Sequence, residues 1–153
     1  LPAPNRVSSY LSPALAVDDG GKAVAVVSIF DATIGVDRAS VWVATGTPDG
    51  SWTSQQRITD PTVPVDAYAT RATMSPDGTL VMVGWIDHYH GTVQVSKLVG
   101  GVWGAADTIG RGTASWTSAQ EVLGLHAGAG NIARAIWKNA KSGTQTIAAS
   151  YGK

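Results

Sequence analysis

The apolar and polar positions of this chain follow a strand rhythm. Thr79 to Asp87 is apolar almost throughout, as in a strand covered on both faces. Thr92 to Val99 alternates, with Val93, Val95 and Lys97 facing one way. His88 to Gly91 between them reads as a loop. Tyr68 to Met74 reads as the preceding strand. Ser75-Pro76-Asp77-Gly78 reads as a turn, because Pro presets φ and Gly accepts positive φ. Gly100-Gly101 is a hairpin turn, and Val102 to Ile109 a fourth, shorter strand. Four antiparallel strands in about 50 residues make one sheet-sized unit. The best helical candidate, Ala119 to Leu125, is short.

The unit recurs. Gly21-Lys22-Ala23-Val24-Ala25-Val26-Val27, Gly78-Thr79-Leu80-Val81-Met82-Val83-Gly84-Trp85 and Gly130-Asn131-Ile132-Ala133-Arg134-Ala135-Ile136-Trp137 each follow a turn-like segment, with glycines 57 and 52 residues apart. Val41-Trp42-Val43-Ala44 matches Val93-Gln94-Val95-Ser96 and Thr146-Ile147-Ala148-Ala149. Gly50-Ser51-Trp52-Thr53 matches Gly101-Val102-Trp103-Gly104. The third copy stops at Tyr151-Gly152-Lys153, before that element. The chain therefore reads as one all-β repeat domain, 1–153. Its repeats are approximately 10–60, 61–113 and 114–153, with residues 1–9 completing a blade.

The repeat resembles the blades of secreted bacterial β-propellers, through Pro76-Asp77-Gly78, Val81 to Trp85, Val93 to Ser96 and Gly100-Gly101-Val102-Trp103. The turn Ser75-Pro76-Asp77-Gly78-Thr79 also resembles the Asp-box of sialidases. It departs from it in glycine position and in the missing Trp, so sialidase activity is not carried over. Three blades do not close a ring, since propellers have four to eight. The expected architecture is a six-bladed β-propeller formed by a homodimer, with strand exchange at the N-terminus. That arrangement is similar to lectins in which two-bladed chains assemble a ring. A monomeric β-trefoil and a fragment of a longer propeller are the alternatives.

Composition narrows the function. The chain has 153 residues, a net charge of zero and 14% charged residues, so no basic footprint for nucleic acid is present. It has no cysteine, which excludes disulfides and Cys-ligated metal. No apolar run approaches the roughly 18 residues of a membrane span. The start at Leu1 without Met, with the Ala, Gly, Thr and Trp content, is expected of a secreted bacterial protein. No cofactor motif is met: Gly128-Ala129-Gly130-Asn131-Ile132-Ala133 lies in a hairpin turn, and no P-loop or nucleophile elbow occurs.

Candidate ligand-binding residues follow from the blade. The loop between its second and third strands shares a face with the crossover between blades. That face would gather Tyr10, Asp31, Asp66, Tyr68, Asp87, His88, Tyr89, His90, Trp116 and Asn139. Rings stack on sugar C–H faces, and carboxylates and amides fix hydroxyl groups. Tyr10, Tyr68 and Trp116 equally suit packing between blades. Ile29, Trp85 and Trp137 close matching strands and read as core; Trp52 and Trp103 read as structural. His88 and His90 have alternate spacing, but metal ligation is not expected, and no catalytic residue is assigned. The resulting expectation is a secreted non-enzymatic, lectin-like protein that binds carbohydrate at shallow sites. A protein-interaction scaffold for another exported protein comes second and a glycoside-type hydrolase third.

Overall fold

The structure is a computed structural model, and it describes residues 7–31, 38–111, 123–128, 132–138 and 146–152. Among the described residues all twelve elements are strands: β1 (Val7–Val17), β2 (Ala23–Asp31), β3 (Arg38–Gly46), β4 (Gln56–Arg57), β5 (Ala67–Met74), β6 (Val81–Asp87), β7 (Thr92–Val99), β8 (Val102–Trp103), β9 (Asp107–Arg111), β10 (Leu123–Ala127), β11 (Ile132–Lys138) and β12 (Thr146–Gly152). They form three antiparallel sheets in chain order. The first is β1-β2-β3-β4, the second is β5-β6-β7 with β8 and β9 both on β7, and the third is β10-β11-β12. This is the blade series of a β-propeller.

Three expectations change in detail. The single fourth strand from Val102 to Ile109 is two short strands, parted at Gly104 to Ala106. Leu123 to Leu125, placed in a candidate helix, is strand, and the rest of that candidate lies outside the described residues. Residues 7–9, expected to help complete another blade, begin β1, with Val7 and Ser9 paired to Asp31 and Phe30 of β2.

The Ser75–Gly78 turn forms for the reason its residues suggest. The Asp77 carboxylate accepts the Thr79 N–H at 3.1 Å and the hydroxyls of Thr79 and Ser75 at 2.8 and 2.6 Å. Gly78 has a φ of 68°, and any side chain there would also collide with the Asp18 carboxylate of the neighbouring turn. The Asp19 N–H donates to the Pro76 carbonyl at 3.0 Å, which ties the two turns together.

Burial follows from the sheets stacking face to face. Val26, Val41 and Val43 of the first sheet pack on Val65, Ala67, Val83 and Trp85. Leu80, Met82 and Val95 pack on Ala127 and Ala133 of the third sheet, and Ile86 and Val93 pack on Ala135 and Trp137. Strand β6 is thus buried on both faces, as its unbroken apolar run requires. Gly110 lies so close to Trp137 that a side chain there would strike the indole.

The first strands of the first two sheets share a bulge. The register slips between Leu11 and Ala14, and between Tyr68 and Arg71. Ser12 and Ala69, inside these bulges, have φ of 49° and 51°. The Thr70 hydroxyl donates to the Ser12 carbonyl, so the bulges meet. Leu11 pairs with Ser28 as Tyr68 pairs with Ile86. By this register Ile29, matched to Trp85 in the sequence, takes the place of Asp87. A buried apolar residue therefore stands in the first sheet where the second has a carboxylate.

Candidate functional site

The polar residues converge where β5 begins and β6 ends. Asp66 lies just before β5 and Asp87 is the last residue of β6; both are buried. Strand pairing brings them together, since Ala67 is opposite Asp87. The Asp66 N–H donates to Asp87 Oδ1 at 3.1 Å, and the His88 N–H donates to the Asp66 carbonyl at 2.9 Å. Asp87 Oδ1 also accepts the Tyr89 N–H at 3.0 Å. Its Oδ2 pairs with His90 Nδ1 at 2.5 Å. Asp87 thus organises the loop from His88 to His90.

Rings surround this pair. Tyr68 and His88 are stacked, with centroids 4.5 Å apart and planes 14° from parallel. Tyr89 meets His90 edge-on at 4.8 Å and is half exposed. The guanidinium carbon of Arg38 lies 3.6 Å from the centre of the Tyr89 ring. His88 and His90, which alternate in sequence, engage different partners.

Asp66 bridges two sheets. Its Oδ1 accepts the Ala39 N–H of β3 at 3.4 Å. Its Oδ2 is buried and has no hydrogen-bond partner among the described residues. Burial pushes its pKa above the ordinary carboxylate value, and the nearby Asp87 pushes the same way. The Ala39 N–H, His88 and Arg38 oppose that rise. A carboxyl group held in its protonated form can give a proton to a leaving oxygen.

Of the ten candidate residues, Asp66, Tyr68, Asp87, His88, Tyr89 and His90 meet here. Tyr10 is in β1 opposite Ile29, and Asp31 ends β2 opposite Arg38; their backbones lie in the first sheet. Trp116 and Asn139 lie outside the described residues. Arg38 is the functional candidate that sequence reasoning missed. Its arginine sits alone in the sequence, and only its pairing with Asp31 brings it to this end of the sheets.

The three sheets and their blade-like stacking define the chain as all-β of the propeller type. No protein-family model matches it, and no curated protein sequence matches it. Among solved structures, it is similar to the catalytic domain of the GH62 alpha-L-arabinofuranosidase of Coprinopsis cinerea. That match has a TM-score of 0.57 and 12% identity, and covers 95% of this chain and 47% of that one. It is also similar to the Hadza microbial sialidase Hz136, with a TM-score of 0.54 and 11% identity over 87% of this chain and 33% of that one. The chain thus spans about half the length of the first and a third of the second. These likenesses are of fold. The expectation of a non-enzymatic lectin-like or scaffold protein is overturned here, because these two structures that share its fold are glycoside hydrolases.

Proposed function

We propose that this chain carries the acid–base centre of a glycoside hydrolase. The observation that carries the reading is Asp66: a buried carboxyl group with a raised pKa and one unclaimed oxygen, beside a second carboxylate. Glycoside hydrolysis needs one carboxyl group that keeps its proton and a second that acts from the other side of the bond. Burial meets the first need at Asp66, the proton donor to the leaving oxygen. Asp87 is the neighbouring carboxylate, and it holds the Asp66 backbone and the His88 to His90 loop in place. The half-exposed Tyr89 ring offers a face for a sugar, with Arg38 fixing its position. The arabinofuranosidase and sialidase titles of the fold neighbours support glycosides as the substrate class.

The test is turnover of an aryl-glycoside panel that includes α-L-arabinofuranosides and sialosides. Wild type should release the aryl group from at least one. Asp66→Asn should slow poor leaving groups by roughly 10²–10⁴-fold and activated dinitrophenyl glycosides far less, because these leave without a proton. A blank across the panel, or an equal loss for good and poor leaving groups, would sink the reading.

For the assembly, closure of the blade series by a second copy is proposed, making a six-bladed homodimer. Its setting is proposed as extracellular, where glycan polymers are met.

A further inference from the structure

Hydrolysis needs a base as well as an acid, because the attacking water must lose a proton. Asp87 is badly placed to take that proton itself. Its Oδ1 accepts the Asp66 and Tyr89 N–H groups at 3.1 and 3.0 Å, and its Oδ2 holds His90 Nδ1 at 2.5 Å. Its side chain is wholly buried. His88 is also buried, with its ring stacked on Tyr68. The His90 side chain, by contrast, is 40% exposed. The His90 ring thus joins a buried carboxylate to solvent.

That ring is held in one orientation. A ring nitrogen 2.5 Å from a carboxylate oxygen has a hydrogen between them. The neutral imidazole then carries its hydrogen on Nδ1 and keeps its lone pair on Nε2. Nε2 has no hydrogen-bond partner among the described residues. Asp87 also takes the Tyr89 N–H, so the ring and the backbone beside it hang on one carboxylate. The Tyr89 ring meets the imidazole edge-on, and Arg38 in turn lies on the Tyr89 ring. The charged groups that the described residues place around the imidazole are Asp87, Asp66 on the other Asp87 oxygen, and Arg38 across Tyr89.

We infer that His90 is the proton acceptor of the hydrolysis, turned and polarised by Asp87, so that water attacks the anomeric carbon directly and inverts its configuration. The inference rests on the hydrolase reading. In the step, a water O–H bond breaks and its proton passes to His90 Nε2. The water oxygen bonds to the anomeric carbon as the glycosidic C–O bond breaks. The electron pair of that bond goes to the leaving oxygen, which takes the Asp66 proton. Solvent then carries a proton from His90 back to Asp66. Asp87 is a positioning residue in this scheme, as the carboxylate behind a histidine base is elsewhere.

The experiment uses an aryl glycoside that wild type turns over. His90→Ala should lower kcat by roughly 10²–10⁴-fold. Its melting temperature should stay that of wild type, since the side chain it removes is exposed. Added imidazole should restore part of the rate, in proportion to its free-base form. His126→Ala, at an exposed position of β10, should leave the rate unchanged. NMR of the first sugar released should show the inverted anomer. In alkaline buffer, ¹⁵N NMR of wild type should place the His90 hydrogen on Nδ1. A wild-type rate in His90→Ala, a loss that imidazole does not restore, a retained anomer, or a hydrogen on Nε2 each overturns the inference and leaves the hydrolase reading standing. Absence of turnover on every glycoside is the failure of that reading, and this role falls with it.

Discussion

At the scale of the residue, the decisive group is a carboxyl that folding keeps from water. Asp66 has a raised folded pKa, caused first by burial. Its contribution to stability is therefore present below the ordinary value of 3.8 and lost as pH rises through the raised one. Asp66→Asn should melt at a higher temperature than wild type near neutral pH, and the gap should close in acid. Thermal melts from about pH 4 to about pH 8 check this, and a gap that stays constant with pH counts against it. The carboxylates and the loop from His88 to His90 were legible in the sequence, because a polar run ending an apolar strand marks a blade end. Arg38 was not, since cross-strand pairing leaves no mark in a single sequence. Trp85 was read as core, and it is fully buried.

At the scale of the element, turns carry the sequence's clearest local signals. Thr47-Pro48-Asp49-Gly50-Ser51 repeats the chemistry of Ser75-Pro76-Asp77-Gly78-Thr79. Asp49 Oδ1 takes the Thr47 hydroxyl at 2.5 Å and the Ser51 N–H at 2.9 Å. Hydroxyl and N–H donors hold Asp49 and Asp77 down to about 2, led by Thr47 and Ser75. Depressed folded values mean that this stabilisation is present above 3.8 and lost as pH falls toward about 2. Asp77→Ala should lower the denaturant midpoint at neutral pH and flatten the loss of stability in that acid window. Urea melts at several pH values measure both, and a parallel shift at every pH would refute the assignment. Strand β7 was read with its observed limits because alternation and two flanking turns bound it. The split of the last strand was not readable, since Gly104-Ala105-Ala106 has no strong turn former. The register that sets Ile29 level with Asp87 and not with Trp85 was hidden too, because it depends on how each strand pairs with its neighbour.

At the scale of the whole molecule, two apolar faces stand exposed among the described residues. On the first sheet an apolar groove of about 450 Å³ is lined by Leu15, Ala25, Val27 and Trp42, with Leu15 61% exposed. On the third, Ile132 and Ile136 stand nearly half exposed while Ala133, Ala135 and Trp137 between and beyond them are buried. Exposed apolar faces of this kind invite cover. Closure by a second copy predicts a particle of about twice 15.8 kDa in light scattering, and Ile136→Asp should return it to the single-chain mass. A wild-type mass of 15.8 kDa at all concentrations would exclude that closure. The all-β architecture was legible because short apolar runs alternate with turn-like segments along the chain. What covers its ends was not, because exposure is a property of the assembled sheets. The contrast between β6, buried along its whole length, and β11, buried at every second position, has an evolutionary consequence. Duplication or loss of a unit at either end alters faces that already meet solvent, whereas the middle strand has no side on which its sequence can drift freely. A lineage could thus lengthen or shorten such an array while the joint that holds Asp66 and Asp87 is inherited intact.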